Sequence, residues 1–220
     1  MSVSEPSIDC YSMILKRWTL EQDPYRKRFL SLGYIAGATT QNRGSVLDEW
    51  LPRIKDVLEQ DAIEETVLQT LLFAGYPKTI EALKKVRKYF PNPGSEKRVK
   101  DHRQSGLATS RIVYGKHHPR LIEIMDELHP DLTRWMLEDG YGRVLSRPGL
   151  SLQEREIAVL VSLMASGMVK QYQAHLRGTA YSGVKKADII WFTSLFSCII
   201  DNDLKDLFAQ VTKQTLEVLN

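Results

Sequence analysis

Apolar residues return along this chain at three- and four-residue steps, the spacing that lines one face of an α-helix. Between positions 24 and 40 they are Phe29, Leu30, Leu32, Ile35 and Ala36. The segment 46–58 repeats the pattern with Leu47, Trp50, Leu51, Ile54, Val57 and Leu58, and Pro52 predicts a kink or a division within it. Another helix is predicted over 61–74, with Asp61 at its start and Gly75 where a left-handed cap would sit. Pro77 suits the first turn of the next, which runs to Tyr89. The segment 91–106 breaks the rhythm: Pro91, Pro93 and Gly94 are followed by Lys97, Arg98, Lys100 and Arg103 with almost no apolar residue. A loop is predicted there in preference to a phosphate or RNA contact. Helices resume over 119–128 and 130–139, Gly140-Tyr141-Gly142 reads as a turn, and Arg147-Pro148-Gly149 as a stop. The segments 151–166, 168–182, 185–200 and 202–219 complete the set. No stretch alternates as a half-buried strand must, so the fold class expected is all-α.

The two halves look related. At an offset of 128, Ile63, Val67, Leu68, Leu71 and Leu72 fall on Trp191, Leu195, Phe196, Ile199 and Ile200, and Ile80 and Leu83 fall on Phe208 and Val211. These are matching apolar faces rather than matching residues, which leaves duplication and coincidental register both open.

Composition narrows the function classes. At 220 residues with 43% hydrophobic and 26% charged, the chain is long enough for one large domain or two packed halves, and is not disordered. Thirty Lys+Arg against 27 Asp+Glu leave a net charge of +3, too little to point to nucleic acid or an anionic membrane. The longest apolar stretch, 189–200, is interrupted by Thr193, Ser194 and Ser197 and is too short to span a bilayer. The start carries Glu5 and Asp9 with no basic residue before Lys16, and the last three residues are not a peroxisomal tripeptide. Cytoplasm is the expected location, with mitochondrion and peroxisome left open. Cys10 and Cys198 stand far apart, so no disulfide framework and a reducing compartment are expected.

Candidate chemistry centres on one histidine. Phosphate and nucleotide fingerprints are absent. His117, His118 and His129 lack the spacing of a helical metal pair, and His102 sits in the basic loop, so no metal site is expected. His175 lies mid-helix in Gln171-Tyr172-Gln173-Ala174-His175-Leu176-Arg177-Gly178, after a helix that opens Ser151-Leu152-Gln153-Glu154-Arg155-Glu156. Ser151-x-x-Glu154 is a capping box, which accounts for Glu154 but not for Glu156, a carboxylate in an otherwise apolar run. If the two helices pack antiparallel, Glu156 reaches His175. The pair suits general acid–base work, and equally a purely structural buried contact.

Residues 112–188 resemble the carboxymuconolactone decarboxylase family, of the alkylhydroperoxidase D-like superfamily. The resemblance rests on Val113-Tyr114-Gly115, on Tyr141-Gly142-Arg143-Val144-Leu145-Ser146-Arg147-Pro148-Gly149-Leu150, on Glu154-Arg155-Glu156, and on the run around His175 followed by Gly183. The family's trailing signature, missing after Gly183, stands instead in the first half as Glu65 through Phe73-Ala74-Gly75-Tyr76-Pro77. That division points to two divergent tandem repeats: 1–93, a basic linker at 94–106, and 107–220. The resemblance implies an alkylhydroperoxidase D-like helical fold.

The family's peroxidase branch uses a CxxC whose positions here are Met168 and Gln171, so that chemistry is excluded. The other branch, without cofactor, decarboxylates or opens a carboxylated lactone. By resemblance His175 is the acid–base residue and Glu156 its partner, with Glu154 a weaker candidate. Arg177, Arg147, Tyr76 and Tyr172 are expected to contact a small carboxylated substrate. At the same offset the first half has Arg28 opposite Glu156 and Leu47 opposite His175, so at most one site per chain is expected. The family's assemblies imply a homo-oligomer, a trimer or a hexamer-like ring. A non-catalytic binding or scaffold protein is the alternative, and a lone Cys198 thiol a remote antioxidant candidate.

Overall fold

A computed structural model describes residues 8–219 and is helical throughout, with no strand among them. Met1–Ser7 and Asn220, on which part of the targeting reading rests, lie outside the described residues. The first half comprises α1 (Ile8–Leu20), α2 (Pro24–Thr40), α3 (Gly44–Ile54), α4 (Gln60–Gln69) and α5 (Leu71–Tyr89). The second comprises α6 (His102–Tyr114), α7 (His118–Leu128), α8 (Pro130–Trp135), a π-helical segment (Met136–Leu145), α9 (Leu152–Ala165), α10 (Val169–Tyr181), α11 (Lys186–Phe196) and α12 (Asn202–Glu217). No described helix is long and apolar enough to cross a membrane.

The core is built on α2 and α9, which pack against each other and carry the longest unbroken buried runs, Phe29 to Thr40 and Arg155 to Met164. A helix buried on all sides sheds the amphipathic stripe and becomes apolar round its circumference. Around α2 the packing is aromatic. Tyr34 stacks on Trp50 of α3 with centroids 3.9 Å apart, Trp18 of α1 meets Trp50 edge-on, and the Trp18 indole N–H donates to Ser31 Oγ at 2.9 Å. Around α9 lie α10, α11 and, through Arg155, α4.

Most of the expected helices are present; four expectations need correcting. The segment 91–106 is not loop throughout, because α6 begins at His102, capped by Asp101, whose carboxylate accepts from the Gln104 amide at 2.8 Å. The Gly140-Tyr141-Gly142 turn is part of the π-helix. These two elements explain each other. A Cβ at Gly106 would stand 1.8 Å from the Leu137 carbonyl, and one at Gly142 would stand 2.0 Å from the His102 carbonyl. The helices touch backbone to backbone at these glycines, while Val113 of α6 is buried in the core. The predicted helix 61–74 is interrupted at Thr70, although its expected end at Gly75 is present as a left-handed kink (φ 73°) inside α5 before Pro77, and α1 was not anticipated.

The cysteine reading is overturned. Cys10 and Cys198 form a disulfide across a sequence separation of 188, with their Cα atoms 5.7 Å apart, and neither thiol is free. The reason is tertiary: α1 folds over the core and meets the end of α11. A lone Cys198 thiol is therefore not available for chemistry, and the pair gives no support to a reducing compartment.

Candidate active site

Ser151 opens α9 as its N-cap, and the reciprocal capping box is formed: the Ser151 hydroxyl accepts from the Glu154 amide while Glu154 Oε2 accepts from the Ser151 amide at 2.7 Å. The other Glu154 oxygen pairs with Arg28 of α2. Glu154 thus closes the helix start and ties α2 to it. Two residues on, Glu156 points inward and is fully buried.

Its partner is His175. Glu156 Oε2 lies 2.9 Å from His175 Nδ1, with the histidine only 6% exposed. The close approach depends on Gly178, one turn further along α10. A Cβ there would lie 2.6 Å from both Glu156 Oε2 and Val113 Cγ1, so only a glycine lets α6, α9 and α10 converge on the carboxylate. The His175 carbonyl is taken by the Thr179 hydroxyl at 2.7 Å, which keeps α10 regular here.

The other ring nitrogen faces a tyrosine. Tyr141 of the π-helix places its hydroxyl 3.4 Å from His175 Nε2, and the two rings lie nearly parallel. Tyr114, at the end of α6, sets its ring edge-on to both at about 6 Å between centroids. Burial pushes the Tyr141 phenol well above its ordinary pKa, and the nearby Tyr114 and the Glu156 charge add to that. Burial raises Tyr114 too, against the opposing Arg177 charge. Both phenols stay protonated at neutral pH. Nδ1 faces the Glu156 carboxylate and Nε2 faces the Tyr141 hydroxyl, which also bonds the Tyr114 hydroxyl. The second Glu156 oxygen, Oε1, is buried without a hydrogen-bond partner. A buried carboxylate oxygen in that state can take one more hydrogen-bond donor.

The other expected site residues are placed as follows. Arg177 is half-buried and makes no ion pair among the described residues, and its charge is felt at Tyr114 and His117. Arg147 is committed elsewhere: its guanidinium grips Glu65 through Nε at 3.0 Å and Nη2 at 2.9 Å, and donates to the Lys97 carbonyl. A substrate carboxylate would have to displace an internal one. Tyr76 is 64% exposed and is brought to neither ring nitrogen. Tyr172 is buried on another face of α10, bonded to the Thr212 hydroxyl at 2.7 Å. His118 is buried against Ser110 Oγ at 3.0 Å, and no group of potential metal ligands forms among the described residues.

Tyr141 and Tyr114 were not singled out as site residues from the sequence, although both lie in the stretches that carry the family resemblance. A tyrosine between two glycines reads as a turn, and only the π-helix turns it inward. Such segments recur at functional sites because the extra residue re-aims side chains.

No family model matches the chain. Over 135 residues it is 24% identical to Peroxisomal protein 2 of Schizosaccharomyces pombe, covering 58% of this chain and 63% of that protein. Over 87 residues it is 30% identical to the 4-carboxymuconolactone decarboxylase of Acinetobacter baylyi, covering 39% of this chain and 65% of that enzyme. The chain thus spans less than two thirds of either relative's length. These similarities support a carboxymuconolactone-decarboxylase-like relationship and nothing finer.

Proposed function

We propose that the protein is a carboxymuconolactone-decarboxylase-like enzyme whose acid–base residue is His175, acting without a cofactor on a small carboxylated, lactone-type substrate. The observation that carries this is the chain Glu156–His175–Tyr141. It fixes a buried imidazole through Nδ1 and leaves Nε2 at its weakest contact, 3.4 Å. Hydrogen bonds at catalytic groups are often long in the free enzyme and tighten with substrate. In a decarboxylation the bond from carbon to the carboxylate breaks, carbon dioxide leaves, and the electron pair remains on the ring framework as an enolate. His175, held through Nδ1 by Glu156, acts at Nε2: it takes up a proton from solvent there and passes it to that carbon. Arg177, which makes no ion pair among the described residues and whose charge is felt at Tyr114, holds a substrate carboxylate; Arg147, held by Glu65, does not.

The same reading includes the assembly and the repeats. Helices α2 and α9 open at Pro24 and Leu152, an offset of 128. This supports two divergent copies of one unit joined through the segment after Phe90. Ile124 and Leu128 on α7 and Leu132 and Trp135 on α8 are exposed apolar side chains, which supports association with further copies of this chain. The similarity to a protein named for the peroxisome makes that organelle a location to test beside the cytoplasm.

The test is turnover of 4-carboxymuconolactone by the wild-type chain and by His175→Ala. The expected loss is about 10²- to 10⁴-fold, with helical content and assembly unchanged. Normal turnover by His175→Ala would remove this mechanism. One observation favours a second reading, a non-catalytic protein on the same scaffold: His175 is nearly buried and Tyr141 covers Nε2. That reading predicts no turnover in the wild type, and loss of stability as the sole effect of replacing His175.

A further inference from the structure

A cleft of about 490 Å³ lies between α10, α11 and α12, and His175 and Glu156 take no part in its lining. Its volume falls in the range of small-ligand sites, roughly 300–1,000 Å³. The floor is Met164, Ile200, Phe208 and Leu216, all buried, with Ile190 exposed at its edge.

The hydroxyls around the cleft are already used. Tyr172 and Thr212 bond each other at 2.7 Å, Thr193 donates to the Ile189 carbonyl at 2.9 Å, Ser194 to Trp191 at 2.9 Å, and Ser197 to Ser194 at 2.7 Å. These bonds leave the wall little to offer a polar ligand body. Charge enters only at the rim, where Lys186, Lys205 and Lys213 face a single carboxylate, Glu217, which stands 4.0 Å from Lys213. Lys205 donates to the Asn202 side chain, and Lys186 makes no ion pair among the described residues.

We propose that this cleft binds an amphiphile with one hydrocarbon segment and one anionic head, of the class of a medium-chain carboxylate. The apolar floor takes the chain, where burial contributes about 0.8 kcal/mol per methylene. The three ammonium groups hold the head at the mouth, partly in water, where lysines bind an anion as point charges without fixed geometry. The site is separate from His175, and its occupancy does not depend on the reaction proposed there. Tyr172, expected from the sequence to touch a substrate, acquires a role here as part of the apolar wall.

The probe is decanoate, titrated calorimetrically into the full-length chain below its micelle concentration, beside 1-decanol and methyl decanoate. Decanoate is expected to bind saturably at one site per chain, at least tenfold more tightly than either uncharged analogue. Replacing all three lysines (Lys186→Gln, Lys205→Gln and Lys213→Gln) should cost decanoate at least tenfold in affinity and leave decanol unchanged. Ala209→Trp, at an exposed α12 position on the lining, should abolish binding of both while circular dichroism and melting stay at wild-type values. Nonyl phosphate, matched to decanoate in alkyl length, binding more tightly than decanoate, no saturable decanoate binding, equal affinity for decanol, or binding that survives Ala209→Trp would each overturn the proposal. Dissociation of an oligomer by Ala209→Trp, read by sedimentation velocity, would overturn it too, because the occupant would then be a second copy of this chain.

Discussion

Glu65 and Glu156 are both buried carboxylates, and they meet consecutive positions of α9: Glu65 through Arg155, and Glu156 as the next residue. Glu65 is saturated. Arg147 binds both its oxygens, Arg155 adds 3.0 Å to Oε2, and Lys97 stands 4.0 Å from Oε1. Arg155 is itself 1% exposed, bonded to Gln69 and to the Arg147 carbonyl, and burial pulls its pKa below the ordinary value. Glu156 has one imidazole and an oxygen left over. The difference separates two uses of a buried charge. A carboxylate enclosed by guanidiniums cannot change partner without disrupting the fold, and this one joins α4, the segment around Lys97, and α9. A carboxylate bonded to a single imidazole orients that ring and keeps one oxygen open to a further donor.

Three substitutions break or sharpen this contrast. The largest effect is expected from Arg155→Ala, which strips Glu65 of one buried partner and opens a hole beside Gln69. Removing one side of a buried pair costs about 3–5 kcal/mol, read as the change in unfolding free energy in urea. Turnover per folded molecule should hardly change. Next is Gly178→Ala, whose new Cβ would lie 2.6 Å from Glu156 Oε2 and from Val113. Overpacking of this kind costs about 1–3 kcal/mol. It should also lower turnover, measured at a temperature where the variant is fully folded, because the Glu156–His175 distance must open. The smallest effect is expected from Tyr141→Phe, which keeps the ring and removes the hydroxyl 3.4 Å from Nε2. About a tenfold fall in kcat is expected, some 1.4 kcal/mol of barrier, at nearly unchanged melting temperature. A fall in stability without a fall in kcat would make Tyr141 a packing residue only.

Much of the Glu156 side of the contrast was legible from residue order. The capping box accounts for Glu154, the apolar run around Glu156 makes it an inward carboxylate, and two adjacent helices place His175 within reach. Local rules of this kind operate over three or four residues. The Glu65 side was not legible, because Arg147 and Arg155 come 82 and 90 residues later, and nothing local marks Arg147 as engaged. The same holds for Cys10 and Cys198, which only the folding of α1 brings together. Helix α6 was missed for another reason: its contact with the π-helix is made by backbone at Gly106 and Gly142, so its buried face reads Gly106, Ser110 and Val113 rather than a row of large apolar residues. Tyr141 was hidden by the same contact, since glycines that permit helix-to-helix approach look in sequence like glycines that make turns.

The most direct test of the contrast is a paired measurement on Glu65→Gln and Glu156→Gln, recording unfolding free energy and turnover of 4-carboxymuconolactone for each. The account predicts opposite outcomes. Glu65→Gln should lose stability and keep its turnover per folded molecule, while Glu156→Gln should fold nearly as well as wild type and lose most of its turnover. Equal loss of stability in both variants, with turnover tracking only the folded fraction, would contradict it.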